Sequence, residues 1–382
     1  MIKIITVVTA RASYSRFKGT LVALEKNKEV NSKVVCTCSA VLEKYGDVSK
    51  IIRADGLSCT DTVNTEIEGN TLDCMPLTVS NTIHSLTAIF INEKPDFVIT
   101  IGDRYETIST AIAASYMNIS LIHIQGGELT GNIDEKVRHA ITKLSDYHIV
   151  STSNSKRRLV RMGENPNAVF NTGCPSIDII KEKEEVSLDE LKSRLKCAQG
   201  SNVLDTDNGY VVMQLHSETE NYDSSFERAQ SLLNKLMQLN KQLVVFWPNP
   251  DAGTDAIAKA IRIFKDSNPD SNTIYLKNLE SRYFLKLLDN ATCLVGNSSV
   301  GIRECSFMGV PVFNLGDRQR GRDRAPNVVD VAWSKLSTLD VFAELQNVSR
   351  ESYNLYGNGN SAIKISEIIA SLKMNSVKVF YE

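Results

Sequence analysis

Short apolar runs rich in β-branched residues alternate along this chain with longer stretches whose apolar residues recur every three or four positions. Ile2–Thr9 reads as a strand and Arg16–Asn27 as a helix with Phe17, Leu21 and Leu24 on one face. Ser32–Thr37, Asp96–Ile101, Ser120–Ile124 and His148–Ser151 read as further strands. Between them, Ser80–Glu93, Tyr105–Met117 and a segment beginning at Asp134 have helical spacing. A βαβα alternation of this kind predicts a parallel sheet with helices on both faces.

The alternation breaks between about 181 and 208, where a charged helical stretch, KEKEEVSLDELKSRLK, is followed by polar, turn-rich sequence. This reads as an interdomain segment. A second series follows, with strands expected at Tyr210–Gln214, Leu243–Trp247, Thr273–Leu276, Thr292–Val295 and Pro311–Leu315, and an amphipathic helix over Ser361–Lys373 closing the chain. The expectation is an α/β protein of two Rossmann-like domains facing a cleft, residues 1–180 and 206–360. Ligands of such sheets sit beyond the carboxyl ends of the strands.

Composition narrows the function classes. The 43 Lys and Arg against 45 Asp and Glu leave a net charge of −2, which gives no support for a dedicated nucleic-acid binder. Apolar runs such as Leu86–Asn92 and Ile119–Ile124 fall short of the roughly 20 residues that span a bilayer, so no membrane partner is expected. The N-terminal run is followed at once by Arg11, Ser13, Ser15 and Arg16 and reads as a strand rather than a signal peptide. The 8 cysteines show a single C-x-C at Cys36 and Cys38 with no histidine near it. Reduced thiols in a cytoplasmic protein are expected, and no metal site.

The segments that follow the strands carry the candidate chemistry. After the first comes Arg11-Ala-Ser13-Tyr-Ser15, which lacks the G-x-G-x-x-G dinucleotide pattern. An arginine and two serines at a helix start either hold an anion or include an ordinary serine cap. Next come Gly102-Asp103-Arg104, with Asp103 at the rim as a functional carboxylate or a cap, and Gln125-Gly126-Gly127-Glu128. His123 has the setting of a core histidine. In Asp134-Glu135-Lys-Val-Arg138-His139, the i, i+4 pairs read as surface ion pairs, yet Asp103, Glu128 and Asp134 all follow strands of one sheet. Carboxylates gathered in one cleft can have their pKa values pushed apart, equipping one as acid and another as base.

In the second half, His216-Ser217 and Trp247-Pro-Asn249 each follow a strand. Gly296-Asn-Ser298-Ser299-Val-Gly301-Ile-Arg303-Glu304 runs from strand to helix, an arrangement suited to phosphate. Glu304 reads either as a ribose-hydroxyl acceptor or as a favourable dipole contact. Arg318, Arg320, Arg322 and Arg324 form a dense basic run. One arginine facing the cleft would suit a pyrophosphate, and the rest read as solvated or internally paired.

These residues resemble the hydrolysing UDP-N-acetylglucosamine 2-epimerases, including bacterial enzymes of sialic-acid synthesis and the epimerase half of the animal bifunctional epimerase/kinase. The resemblance rests on R-A-x-Y-S at 11–15, G-D-R at 102–104, H-I-Q-G-G-E at 123–128 and I-D-E-x-x-R-H-A-I-T-K-L at 133–144. It continues with P-N-x-D-A-G at 248–253, G-N-S-S-x-G-x-R-E at 296–304 and N-L-G-x-R-Q at 314–319. It implies a glycosyltransferase-B fold with the C-terminal helix, 361–382, returning to the first domain. It implies Asp103, Glu128, Asp134 and His216 as catalytic residues. Arg11, Ser15, Arg104, Asn249, Ser298, Ser299, Glu304 and Arg318 would then bind UDP and substrate. Two departures from the family pattern are Ser13, where an acidic residue is common, and Ser217, where proline is common.

The implied reaction converts UDP-N-acetylglucosamine and water to N-acetylmannosamine and UDP. UDP leaves carbon 1 as the carbon 2 proton is removed, water adds to the resulting glycal, and a proton returns on the opposite face. No cofactor or metal is required, and a homo-oligomer, dimer or tetramer, is implied. The alternatives are the same chemistry on a UDP- or GDP-2,4-diacetamido-6-deoxy sugar, a glycosyltransferase, a non-enzymatic nucleotide-sugar binder and a non-hydrolysing epimerase.

Overall fold

The computed structural model describes the chain apart from residues 44–45, 70–71, 131–132, 200–201, 219–223, 249–253 and 375–377 and the side chains of 197–199. The chain divides into two compact units. The first comprises Met1–Glu128, Ile133–Asp178 and Tyr356–Glu382, and the second Leu129–Asn132 and Ile179–Leu355.

The first unit is built on β1 (Ile2–Val8), β2 (Val30–Thr37), β3 (Cys59–Val63), β4 (Phe97–Ile101), β5 (Ser120–Ile124), β6 (Tyr147–Val150) and β7 (Val169–Asn171), in the spatial order β3-β2-β1-β4-β5-β6-β7. The second is built on β8 (Tyr210–Gln214), β9 (Gln242–Phe246), β10 (Thr273–Leu276), β11 (Cys293–Gly296), β12 (Val312–Leu315) and β13 (Val328–Val331), ordered β10-β9-β8-β11-β12-β13. Neighbouring strands pair in parallel throughout. Each order reverses beside its first strand, between β1 and β4 and between β8 and β11. Open α/β sheets bind ligands at such reversals, beyond the carboxyl ends of the strands.

Burial on both faces explains the near-continuous apolar strands. Along β1, Ile4 and Val8 point to one layer with Phe17, Leu21 and Leu24 of the helix Arg11–Lys26. Ile5 and Val7 point to the other, with Leu86, Phe90, Ala111 and Ala114. Each large apolar side chain removed from water contributes about 1.5–3 kcal/mol. In the second unit, Met213 and Val245 pack beneath Leu232, Leu236 and Phe264, and Val212 and Val244 beneath Leu195, Leu287 and Leu288.

Several expectations change. The first helix starts at Arg11 rather than Arg16, with extended Ala10 as its N-cap and no side-chain cap bond, so neither Ser13 nor Ser15 caps it. The charged stretch expected between domains belongs to the second unit instead. Its helix Leu188–Gln199 buries Leu191 and Leu195 with Val186 and Leu204 in that unit's core. The strands β3, β7 and β13, which the pattern does not reveal, are all edge strands, short and partly polar.

The helix Ser361–Ser371 lies in the first unit, where Ile365 and Ile369 join the core beside Phe17 and Leu24. Its first N–H groups, of Ser361 and Ala362, donate to the Asp178 carboxylate at 3.0 and 2.5 Å. Helix Cys74–Glu93 is longer than expected and, by length and composition, long and apolar enough to cross a membrane. Its Leu86, Ile89 and Phe90 are buried in the first unit's core.

Candidate active site

In the first unit, the segments after β1 and β4 flank the strand-order reversal. Arg11 is the first residue of its helix, and burial pulls its pKa below the ordinary value. Ser15 lies one turn further on, half-exposed. After β4, Gly102 turns the chain with φ +83°, a conformation that favours glycine, and its N–H donates to Ile124 O at 3.0 Å. Asp103 then pairs with the guanidinium of Arg138.

Arg138 is the organising group of this unit. It projects from the helix Ile133–Leu144, is fully buried, and donates to the backbone carbonyl of Glu128 at 2.9 Å. Burial disfavours its charge, but the fields of Asp103, Glu128 and Asp134 outweigh that and raise its pKa. Asp103 is thus paired with this buried cation, whose charge the nearby carboxylates of Glu128 and Asp134 also favour. The i, i+4 spacing of Asp134 and Arg138 points to a local surface pair, whereas the guanidinium reaches across to the loop after β4. Glu135 and His139 do lie as an i, i+4 pair, at 3.9 Å.

His123 is a structural histidine. Its Nε2 is 3.1 Å from Gly102 O and its Nδ1 is 3.3 Å from Thr142 Oγ1. Burial pushes its pKa down to about 3, so the ring is neutral. A carbonyl only accepts, which fixes the proton on Nε2 and makes Thr142 the donor to Nδ1. Arg104 is oriented by Glu106, whose buried carboxylate receives its Nε at 2.7 Å.

In the second unit, β8 and β11 flank the other reversal. Gly296 has φ +149°, and a Cβ there would overlap the carbonyl of Gln214. The next residue, Asn297, is buried and joins the two loops. Its Oδ1 accepts from His216 N at 2.8 Å, and its Nδ2 donates to His216 O at 2.9 Å. The carbonyl of Asn297 accepts from Arg318 at 3.2 Å and from Gln319 Nε2 at 2.9 Å.

Ser298 and Ser299 are half-exposed at the start of the helix Ser299–Ile302. The single helix expected here is two short ones, interrupted at Arg303 and resuming over Glu304–Met308, so the expected dipole is that of about one turn. Glu304 is buried. The arginine run is largely internally engaged. Arg322 donates to Gln319 at 2.6 Å, and Arg324 pairs with Asp330 at 3.0 Å.

The structure thus pairs Asp103 with Arg138, with Glu128 and Asp134 close enough to favour its charge, and brings His216 and Arg318 to one buried asparagine in the second unit. Asn249 lies outside the described residues. Among the described residues, no group of three or more His, Cys, Asp or Glu side chains is arranged to hold a metal ion. Arg138, Asn297 and Gln319 are missing from the residues singled out by sequence, although each lies inside a recognised motif. Their roles depend on burial and on bonds to other loops, which spacing does not encode.

Two parallel α/β units of matching strand order, with polar loops at both reversals, define a glycosyltransferase-B-like protein. A crystal structure of UDP-GlcNAc 2-epimerase from Neisseria meningitidis, bound to UDP-GlcNAc, has the same fold. It aligns with a TM-score of 0.81 at 21% identity, covering 96% of this chain and 99% of that one. The family model described as UDP-N-acetylglucosamine 2-epimerase matches residues 22–370, and the chain belongs to that family. It is 32% identical to a UDP-N,N'-diacetylbacillosamine 2-epimerase (hydrolyzing) from Legionella pneumophila, over 98% of this chain and 97% of that protein. It is 31% identical to the polysialic acid biosynthesis protein P7 of Escherichia coli, over 100% of this chain and 98% of the relative.

Proposed function

We propose that this protein is a hydrolysing 2-epimerase that converts UDP-N-acetylglucosamine and water to N-acetylmannosamine and UDP. The observation that carries the reading is the ion pair of Asp103 with the buried guanidinium of Arg138, whose charge is also favoured by Glu128 and Asp134. The carbon 2 proton of an acetamido sugar is barely acidic. Its removal becomes feasible as the carbon 1–oxygen bond to UDP breaks, the bonding electrons leaving with the diphosphate. One carboxylate takes that proton, water adds across the glycal at carbon 1, and an acid returns a proton to carbon 2 on the other face. The buried cation paired with Asp103 offsets the cost of holding that charge away from water.

In this reading the second unit holds the nucleotide. Ser298, Ser299, Glu304 and Arg318 meet phosphate and ribose, Asn249 is assigned to the nucleotide by its motif, and His216 lies next to the leaving diphosphate. Arg11, Ser15 and Arg104 are further substrate-binding residues in this reading. Cationic and N–H donors aimed at a departing diphosphate stabilise the charge that develops there. The reaction consumes a cytoplasmic nucleotide sugar and needs no cofactor.

A second reading keeps the chemistry and changes the sugar to a 2,4-diacetamido-6-deoxy nucleotide sugar. The 32% identity to a hydrolysing diacetylbacillosamine epimerase favours it. Both readings are tested by supplying UDP-N-acetylglucosamine and UDP-N,N'-diacetylbacillosamine separately and measuring UDP release together with the free sugar. Preference for the first, by tenfold or more in kcat/KM, supports the main reading. The reverse preference supports the second. UDP release that requires an added sugar acceptor would overturn both in favour of a glycosyltransferase.

A further inference from the structure

Glu218 lies two residues beyond His216 and joins three elements of the second unit. Its Oε1 accepts from the backbone N–H of Asp317 at 3.2 Å and from the indole Nε1 of Trp333 at 3.3 Å. Its Oε2 receives Arg228 at 2.7 Å, and the Arg228 guanidinium lies 5.2 Å from the centre of the Trp333 ring. Gly316 completes the fit. It has φ +70°, and a Cβ there would overlap both Glu218 Oε1 and Trp333 Nε1. The loop after β12 is therefore shaped around this carboxylate, and the side chain is only 12% exposed.

The same loop places Arg318 and Gln319 on the carbonyl of Asn297, whose side chain in turn grips His216. From Glu218 the connection runs by a hydrogen bond to Asp317 N, along the backbone to Arg318 and Gln319, and by their hydrogen bonds to Asn297 and thence to His216. A carboxylate repels a diphosphate, so Glu218 is suited to act through Arg318 rather than on the ligand itself.

We infer that Glu218 is a positioning residue for nucleotide recognition, holding the Gly316–Gln319 loop in the shape that presents Arg318 to a nucleoside diphosphate. This rests on the proposed role of the second unit in binding UDP. The carboxamide of Glu218→Gln keeps one acceptor, for Asp317 and Trp333, and turns an NH2 donor toward Arg228, so that it loses the ion pair and its hydrogen bond. Alanine removes the acceptor as well.

The test uses the full chain carrying Trp247→Phe, which leaves Trp333 as the one tryptophan of the 2 in the sequence. UDP is titrated by calorimetry and by Trp333 emission into this protein and into its Glu218→Ala and Glu218→Gln forms, alongside steady-state kinetics. The inference predicts that alanine raises both the UDP Kd and KM at least tenfold, with kcat changed less than threefold. It also predicts that glutamine restores Kd and KM to within threefold, and that Trp333 emission shifts on UDP binding in the parent and glutamine forms. Arg228→Met, which spares the Oε1 contacts, is predicted to keep UDP binding and serves as a second variant if alanine unfolds the unit. Unchanged UDP affinity in folded Glu218→Ala, or loss in Arg228→Met equal to that in alanine, would overturn the inference alone. Failure of the parent protein to bind UDP would overturn the nucleotide reading and the inference with it.

Discussion

The side chain of Asn297 is paired to the backbone of His216 through two hydrogen bonds, at 2.8 and 2.9 Å, and both residues are buried. The pair bridges the loops after β8 and β11, where the strand order of the second unit reverses. It orients the amide unambiguously, with the oxygen on the N–H and the nitrogen on the carbonyl. Asn297→Ala strands both backbone groups of His216. A buried polar group left unsatisfied costs about 1–3 kcal/mol. The expected outcome is a stability loss of that order in urea denaturation and a fall of at least tenfold in kcat/KM. A folded Asn297→Ala protein of undiminished activity would contradict the role given to this pair.

Arg138 and Asp103 should separate stability from turnover. Arg138→Met leaves the Asp103 carboxylate without its buried cation, and breaking a buried pair from one side costs about 3–5 kcal/mol. Asp103→Asn removes one charge and keeps the shape, so it should lower the denaturation midpoint less than Arg138→Met while abolishing detectable turnover. Equal destabilisation by the two substitutions would show that Arg138 does not organise the carboxylates.

The pH dependence of stability follows from His123. In the native state burial holds its pKa at about 3, against 6.5 for the free side chain. Below pH 6.5 the unfolded chain takes up a proton that the native ring refuses, so protons favour unfolding. Its neutral form costs nothing above that pH, and stability falls as the pH drops from about 6.5 toward 3. The slope expected from this one group is about 1.4 kcal/mol per pH unit. His148 is also buried and has its pKa lowered, chiefly by burial, so it adds in the same direction. Urea titrations at pH 7.5, 6 and 5 should show this fall, and a folded His123→Gln variant should show a shallower one. A flat profile over that range would contradict the neutral, buried assignment.

What the sequence made legible was the alternation, and hence the two parallel sheets. Strands such as FVITI and SLIHI are buried along their whole length, so their apolar runs stand out. The edge strand CTDTV carries a polar half and does not. The stretch over 181–208 misleads because charge dominates its composition, while the few buried residues, Leu191 and Leu195, decide where it packs. For the site, motif order singles out Asp103, Glu128 and Asp134 as candidates, yet the sequence does not show that Arg138 pairs with Asp103 and bonds the Glu128 carbonyl. An arginine four residues from an aspartate on a helix reads as a surface pair, and only burial reveals a hub. Asn297 and Glu218 escape for a related reason: their partners lie far away in sequence.

Proton NMR in D2O tests the central claim most directly. The protein is incubated with UDP-N-acetylglucosamine, and in a parallel tube with UDP-N,N'-diacetylbacillosamine. The account predicts, in at least one tube, UDP and a free sugar epimerised at carbon 2 and carrying deuterium there, because the proton is removed and returned from solvent. Release of a free sugar that retains its original carbon 2 proton would contradict elimination through a glycal. Deuterated UDP-N-acetylmannosamine without free sugar would contradict the hydrolytic step.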